Sequence, residues 1–260
     1  MTAPTPNPSG ALPGTLANRV ALVTGALGGL GPAVCQTFIA AGATVVGVAS
    51  ESSGRHGSPA DALAALRATL PADAIASRLT LRTADLSDES SVAQLVAGVV
   101  SDFGRLEIAV NLVGGYAAGQ PVSALDADVW DSLLTLNART TFLVSKHVAA
   151  PMARQQWGRI VNISSRAALA GRRNAAAYAV AKQAVITLTE AQAEELRDDH
   201  ITVNAVLPSI IDTPTNRAAM PKADTSRWPT AEQIARVIAF LASDDAAIIS
   251  GAAIPVYGLA

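Results

Sequence analysis

An apolar run near the start of the chain passes directly into a glycine-rich turn. Arg19 to Thr24 reads RVALVT, as expected of a short buried parallel strand, and the next residues are GALGGLG. A helical pattern then runs from about Pro32 to Ala41. Glycines between a strand and a helix let the backbone turn sharply and approach a pyrophosphate, which the helix N-terminus then stabilises. This stretch therefore predicts a dinucleotide-binding βα unit.

Apolar runs and helical patterns alternate along the rest of the chain. The runs lie near residues 19–24, 43–48, 78–82, 106–112, 159–164, 201–207 and 252–256, and the helical patterns lie near 30–41, 59–70, 88–102, 126–153, 174–197 and 230–242. Such alternation implies right-handed crossovers and a doubly wound parallel sheet. We therefore expect a single-domain Rossmann-type α/β fold of about seven strands.

Two stretches lie outside this alternation. Residues 209–229 show no clear periodicity and follow the sixth strand, so we expect them to form a substrate lid. Residues 1–16, MTAPTPNPSGALPGTL, have neither a basic n-region nor an apolar h-region. They are predicted to be a disordered N-terminal tail rather than a signal peptide, followed by a catalytic domain at 17–260.

Composition argues against several classes of protein. The 260 residues suit one α/β domain with a large core, and half of them are hydrophobic. The formal net charge is -2 with no basic stripe, which argues against nucleic acid as a partner. No apolar run approaches the length needed to cross a bilayer. Cys35 is the only cysteine, so no intrachain disulfide can form and a cytoplasmic location is expected.

Tyr178 and Lys182 stand four residues apart in NAAAYAVAKQAVITL, and Ser165 lies thirteen residues before Tyr178. Positions i and i+4 share one face of a helix, so the phenol and the ammonium can address one point. A nearby lysine favours the phenolate and is expected to lower a pKa that is otherwise about 10. Tyr178 is therefore a candidate proton donor or acceptor, although YxxxK also occurs on ordinary helix surfaces.

Taken together, TGALGGLG, the NLVGG run at 111–115, Asn137, Ser165 and YxxxK resemble the short-chain dehydrogenase/reductase family. The resemblance extends from about Ala17 to the C-terminus. It implies an NAD(P)-dependent carbonyl reductase or alcohol dehydrogenase that acts on a small-molecule ketone or secondary alcohol.

The resemblance also assigns roles to four side chains. It implies that Ser165 holds the substrate oxygen and that Tyr178 transfers a proton to or from it. Lys182 would lower the pKa of Tyr178 and bind the nicotinamide ribose, while Asn137 would hold a water that links Lys182 to solvent. A helix-interior asparagine bonded to backbone is the alternative for Asn137. Ser164 competes with Ser165, which the thirteen-residue spacing to the tyrosine favours.

The same resemblance assigns a cofactor pocket. Asp85 would contact the adenine edge, although either Asp85 or Ser87 could instead cap a helix N-terminus. No metal site is predicted. The expected cofactor-binding residues are Gly25, Leu27, Gly29, Leu30, Gly31, Ser50, Asp85, Leu86, Asn111, Gly114, Tyr178, Lys182, Pro208, Ile211 and Thr213.

The choice between NADP and NAD depends on the end of the second strand, VVGVASESSGRHG. An acidic residue there would bond the ribose hydroxyls and repel a 2′-phosphate. Ala49 stands where NAD-preferring relatives carry aspartate. Glu51 opposes a phosphate, whereas Ser50, Ser52 and Arg55 could together hold one. The balance favours NADP over NAD.

A second resemblance suggests an alternative substrate. DTPTNRAAMPKADTSRW and the GGYAAG run at 114–119 are similar to segments of dihydropteridine reductases in the same superfamily. This resemblance implies reduction of a quinonoid pterin as the alternative activity. A nucleotide-binding module without chemistry is a further alternative. The candidates for the pocket wall are Val113, Gly115, Tyr116, Ala167, Asn174, Ser209 and the 213–228 segment, including Met220 and Trp228.

Two apolar surfaces predict assembly. The helix from Asn174 to Arg197 has many alanines beside Tyr178, and the C-terminal run GAAIPVYGLA is largely apolar. Members of the family that the chain resembles commonly pair through the corresponding helices and final strands, and closed symmetry would bury both surfaces. The resemblance therefore implies a homotetramer, with a dimer as second choice. The alternative is that the alanines pack against the protein's own sheet.

Overall fold

The computed structural model describes residues 14–49, 64, 66–68 and 77–259. In this part of the chain seven parallel strands form one sheet in the order β3-β2-β1-β4-β5-β6-β7. This order confirms the doubly wound Rossmann-type fold that the alternating pattern predicted. The strands are Val20–Thr24 (β1), Thr44–Ala49 (β2), Leu79–Thr83 (β3), Ile108–Asn111 (β4), Gly158–Ile163 (β5), Ile201–Pro208 (β6) and Ala253–Val256 (β7).

Helices connect the strands. The predicted helix at 59–70 lies mostly outside the described residues, of which 64 and 66–68 are helical. No helix within the described ranges combines the length and the apolar composition that crossing a membrane requires. The other α-helices are Gly31–Ala40 (α1), Glu89–Phe103 (α2), Ala127–Leu134 (α3), Thr140–Gln155 (α4), Ala176–Glu195 (α5), Pro214–Ala219 (α6) and Ala231–Leu241 (α7).

The inner strands of the sheet are buried on both faces, whereas the edge strands β3 and β7 are partly exposed. In β1, Ala21 and Val23 belong to a hydrophobic core shared with α1 and α7. Val20 and Leu22 point the other way, into a core shared with α2 and α4. Because successive side chains of a strand face opposite sides, both sets must be apolar. This double burial explains why the strands are continuous apolar runs in the sequence.

The helix predicted over 126–153 contains a π-helical turn. Thr135–Arg139 forms this turn between α3 and α4, and it carries Asn137. The Asn137 Nδ2 donates to the Leu133 carbonyl at 3.0 Å. π turns inside helices are rare and occur often at functional sites, because they change the direction of one side chain.

The predicted lid at 209–229 contains regular structure that its sequence pattern did not indicate. Thr213 caps α6, since its hydroxyl accepts a hydrogen bond from the Asn216 backbone N at 3.2 Å, and Pro214 occupies the first turn. Cap and proline are both favourable starts for a helix. With six residues, however, α6 is too short to show a helical period.

The ordered domain begins earlier than predicted. Leu16, expected in the disordered tail, is only 1% exposed, and its backbone N donates to the Ala41 carbonyl at 3.0 Å. Residues 14–16 therefore belong to the domain. The rest of the predicted tail, residues 1–13, lies outside the described residues.

Gly31 has the tightest surroundings in the turn after β1. A Cβ at this position would lie 2.4 Å from the carbonyl oxygens of both Gly25 and Ala26. We expect Gly31→Ala to lower the free energy of unfolding by about 2 kcal/mol or more, because the backbone of the turn must shift. Urea denaturation followed by circular dichroism measures this change.

Gly171→Ala is the matched control. A Cβ at Gly171 meets nothing within 4 Å, so we expect a change of less than about 0.5 kcal/mol. Equal losses in the two variants would show that the close approach at Gly31 does not limit stability.

Candidate active site

The glycine-rich loop lies at the carboxyl end of β1, beside the loop that follows β4. Gly25 has a φ of 64°, a conformation that side chains disfavour, and a Cβ there would come within 3.3 Å of the Val113 backbone N. Gly28 and Gly29 are exposed at the mouth between the two loops. At the other end of the loop, Leu30 begins α1 without any side-chain cap on the free N–H groups.

This loop fits a dinucleotide. The exposed glycines lie next to a helix N-terminus without a side-chain cap, whose positive end favours the anion of a pyrophosphate. The N–H groups of Gly28 and Gly31 are bonded to carbonyls within the loop. The absence of side chains at Gly28 and Gly29 leaves space for such a group. The residues present are therefore compatible with the cofactor that the sequence implies.

Thr24 is a structural residue of this site that the sequence analysis did not single out. Its hydroxyl accepts a hydrogen bond from the Leu112 backbone N at 3.1 Å and lies 3.4 Å from the Val113 N. These contacts attach the loop after β4 to the end of β1. The signal in the sequence is the threonine directly before Gly25.

Three of the predicted cofactor residues have side chains that point away from the loop surface. Leu30 and Leu86 are each 7% exposed and belong to the hydrophobic cores. The buried Asn111 donates through Nδ2 to the Asn162 Oδ1 at 2.8 Å and to the Ser145 hydroxyl at 3.0 Å. At these three positions any contact with a cofactor has to come from the backbone.

Asp85 is exposed, as a residue that contacts an adenine would be, and it does not cap a helix. Its carboxylate accepts hydrogen bonds from the Ser87 backbone N at 2.9 Å and from the Ser87 hydroxyl at 2.6 Å, which lower the pKa of this carboxyl. The cap of α2 is instead Asp88, which accepts from the Ser90 backbone N. Both predicted capping alternatives, Asp85 and Ser87, are therefore wrong.

The lid contacts the glycine loop directly. A Cβ at Gly29 would lie 3.1 Å from the Thr213 methyl group, so these two predicted cofactor residues face each other. Pro208 ends β6, and the Ile211 carbonyl accepts from Asn216 Nδ2 at 2.8 Å. The predicted cofactor residues of the lid thus lie beside the glycine loop.

The second strand ends at Ala49, which is 5% exposed and pairs with Thr83 of β3. It brings no carboxylate to this position. The other residues predicted to choose the cofactor, Ser50, Glu51, Ser52 and Arg55, lie outside the described residues.

The structure brings Ser165 and Tyr178 together. Their hydroxyl groups share a hydrogen bond, and the Ser165 Oγ also accepts from the Ala167 backbone N at 3.2 Å. Ser164, the competing serine, is 2% exposed and donates its hydroxyl to the Lys182 carbonyl at 2.7 Å. Ser165 is therefore the serine that faces the tyrosine, while Ser164 anchors α5 to β5.

The predicted lowering of the Tyr178 pKa is not found. Burial raises the pKa of this phenol, the hydrogen bond with Ser165 opposes that effect, and the Tyr116 phenol adds to it. Lys182 does not contribute, because its Nζ donates to the Ile163 carbonyl at 2.9 Å rather than to the phenol. Tyr178 is consequently protonated at neutral pH.

Lys182 is a buried amine with few partners. Its side chain is 4% exposed, and burial lowers its pKa from 10.5 to about 8. No carboxylate is paired with it among the described ion pairs. An amine with this pKa can exchange a proton close to neutral pH.

Asn137 bonds mainly to backbone, as in the alternative that its sequence context left open. Its Oδ1 accepts from the Gly115 backbone N at 3.1 Å, and its Nδ2 donates to the carbonyls of Gly115 and Leu133, each at 3.0 Å. A Cβ at Gly114 would lie 2.7 Å from Asn137 Oδ1 and 2.9 Å from Lys182 Nζ. Glycine at 114 therefore allows these two polar groups to converge.

Comparisons with known proteins identify the family of this chain. A family model described as short chain dehydrogenase matches residues 19–224. The 3-oxoacyl-[acyl-carrier-protein] reductase FabG of Pseudomonas aeruginosa is 36% identical over 253 residues, which cover 94% of this chain and 98% of that protein.

Two solved structures have a similar fold. Levodione reductase superposes with a TM-score of 0.82 at 31% identity, covering 93% of this chain and 97% of that one. ElxO with NADP bound superposes with a TM-score of 0.83 at 26% identity, covering 92% and 97%. The chain therefore belongs to the short-chain dehydrogenase family and is an NAD(P)-dependent oxidoreductase.

Proposed function

We propose that this enzyme interconverts a ketone and its secondary alcohol, with Tyr178 as the general acid and base. The observation that carries the proposal is the hydrogen bond between the Ser165 and Tyr178 hydroxyls, one helical turn from the buried Lys182. Two hydroxyls that face one point can both bond a carbonyl oxygen, which polarises the carbonyl for attack at carbon.

In this proposal each side chain has one task. Ser165 holds the substrate oxygen, and Tyr178 donates its phenolic proton to that oxygen during reduction or takes it back during oxidation. The bound nicotinamide supplies or accepts the hydride. A phenol whose pKa burial has raised carries its proton at neutral pH, which suits an acid in the direction of reduction.

Lys182 and Asn137 act on the proton supply in this proposal. The Lys182 ammonium, with a pKa of about 8, can return a proton to Tyr178 after turnover. Asn137 keeps one lone pair on Oδ1 for a water, because only the Gly115 N–H uses that oxygen. Such a water would lie near Gly114, where the side chains of Asn137 and Lys182 converge, and would connect the two.

Pterin reduction is the second candidate. It is favoured by the exposed aromatic ring of Tyr116 in the GGYAAG run, beside Tyr178. That chemistry does not depend on a serine, whereas here the Ser165 hydroxyl is bonded to the tyrosine. We therefore prefer the ketone.

Tyr178→Phe tests the assignment of the acid. The variant removes only the hydroxyl, so we expect kcat for NAD(P)H-dependent ketone reduction to fall by about 10²-fold or more. The affinity for the cofactor, measured by fluorescence titration, should stay nearly unchanged. Tyr257→Phe is the matched control, because it removes a phenolic hydroxyl from a ring that packs beside Arg166. A Tyr178→Phe variant with most of the wild-type turnover would refute the role.

We propose NADP as the preferred cofactor. Ala49 offers no carboxylate to the ribose at the end of β2, and a similar structure, ElxO, holds NADP. We expect Ala49→Asp to shift the ratio of kcat/KM for NADPH over NADH toward NADH by about tenfold or more, because the new charge repels the 2′-phosphate. Ala49→Asn controls for size without charge. An unchanged ratio in the Asp variant would mean that residue 49 does not lie at the ribose.

We propose a cytoplasmic homotetramer, with a dimer as second choice. A reducing compartment is supported by Cys35, a buried free thiol. The predicted alanine surface faces inward, since Ala177, Ala179 and Ala181 are buried within the subunit. The proposal rests instead on apolar side chains that a single chain leaves exposed. They are Phe142 of α4, Val180 of α5, Phe240 of α7, Ile248 and Leu259.

Light scattering on the purified protein measures the assembly. We expect a particle of four chains of 26.4 kDa, because closed two-fold contacts would cover these exposed apolar side chains. Phe142→Glu should reduce the particle to a smaller species by placing a charge among them. A single 26.4 kDa species for the unmodified chain would rule out the assembly.

A further inference from the structure

The exposed aromatic ring of Tyr116 packs against Tyr178, the candidate acid. The Tyr116 side chain is 69% exposed, and its ring centroid lies 4.9 Å from that of Tyr178 with an angle of 83° between the ring planes. The two rings therefore meet edge to face, and we call the angle between their planes the corner. A large aromatic surface left open at a reaction centre can be covered when a ligand binds.

The loop that carries Tyr116 is held at both ends. Asn137 bonds both the N–H and the carbonyl of Gly115, directly before the ring. At the other end, the Gly119 backbone N donates to the Asn174 carbonyl at 2.8 Å. Tyr116 thus projects from a fixed segment, so its position relative to Tyr178 is part of the fold.

A cavity of about 330 Å³ opens along the segment that follows Tyr116, and neither Tyr116 nor Tyr178 is among its lining residues. Its lining includes Ala117 and Ala118, which follow Tyr116, and Ala176 and Ala177, which precede Tyr178. Small apolar walls leave room in this cavity for a bulky group. The volume is at the lower end of the range for small-molecule pockets.

We propose that Tyr116 is a specificity-determining residue and that the corner receives a flat aromatic group, so that the substrate class is an aryl ketone. A flat group parallel to one ring necessarily meets the other ring edge-on. Offset stacking and edge-to-face contact are the two favoured arrangements of aromatic pairs, and the 83° corner provides both at once. A saturated or linear substituent gains neither.

This inference deepens the proposed function and rests on it, because Tyr178 is one wall of the corner. A carbonyl attached to the flat group lies next to the hydroxyl pair of Ser165 and Tyr178. The substrate is thereby placed by its ring and activated at its oxygen. Ring recognition is the task of Tyr116, whose hydroxyl is not required.

Matched ketones test the selectivity of the NADPH-loaded enzyme. Acetophenone and cyclohexyl methyl ketone have the same carbon skeleton and differ in planarity, so the ratio of their kcat/KM values reports recognition of the flat ring. We expect Tyr116→Leu to lower this ratio about tenfold and Tyr116→Phe to keep it within about threefold. Val122→Ala, an exposed apolar change on the same connection, is the control and should not move the ratio.

A binding measurement separates this inference from the proposed function. The protein loaded with NADP⁺, which cannot deliver a hydride, is titrated with 2-acetylnaphthalene. We expect Tyr116→Leu to raise the Kd about tenfold and Tyr116→Phe to leave it nearly unchanged. Binding that depends on Tyr116 without any turnover would overturn the ketone function but keep the ring site. Turnover or binding that is insensitive to Tyr116→Leu, or no binding to the wild type, would overturn the ring site.

Discussion

Because β1 pairs in parallel with β4, successive crossovers leave the sheet in opposite directions and open a crevice between the carboxyl ends of these two strands. Among the described residues, the glycine loop, Ser165 and Tyr178 lie at this edge. Thr24 ties the loop after β4 to the end of β1, and Gly25 permits the close approach of the two loops. Without this pairing, the glycine loop and the hydroxyl pair would belong to different parts of the molecule.

The doubly wound fold followed from the alternation of apolar runs with helical patterns, whereas the order of the strands in the sheet was not predicted. The same reasoning could not find α6, whose six residues are fewer than two helical turns, nor the π turn around Asn137. Both depend on local hydrogen bonds, which leave no periodic pattern of apolar residues in the sequence. The cap of α2 was also misassigned, because Asp85, Ser87 and Asp88 are equally good caps and only the path of the backbone selects Asp88.

For the site, the thirteen-residue spacing favoured Ser165 over Ser164, and Ser165 is the serine bonded to Tyr178. The four-residue spacing placed Lys182 one turn from Tyr178, but its ammonium is bonded to the Ile163 carbonyl. The predicted direction of the shift in the Tyr178 pKa was wrong. Burial raises this pKa, and the Lys182 ammonium does not lower it because it is bonded to the Ile163 carbonyl. Burial is a property of the whole fold, so a four-residue spacing cannot reveal it. Motif position likewise could not reveal that the side chains of Leu30 and Leu86 are buried in the hydrophobic cores.

The groups that perform the proposed chemistry are held by polar groups that do not take part in it. Two hydrogen bonds of Lys182 attach α5 to β5. Its carbonyl accepts from the Ser164 hydroxyl, and its Nζ donates to the Ile163 carbonyl. Asn111, Asn162 and Thr189 continue these contacts across the buried face of the sheet, and the Asn111 Oδ1 is left without a partner. Burying an amine and an unpaired oxygen costs stability, which proteins accept most readily where function requires it. In the proposed function, substrate choice depends instead on the loops that carry Tyr116 and the lid. These loops can vary without disturbing the buried contacts.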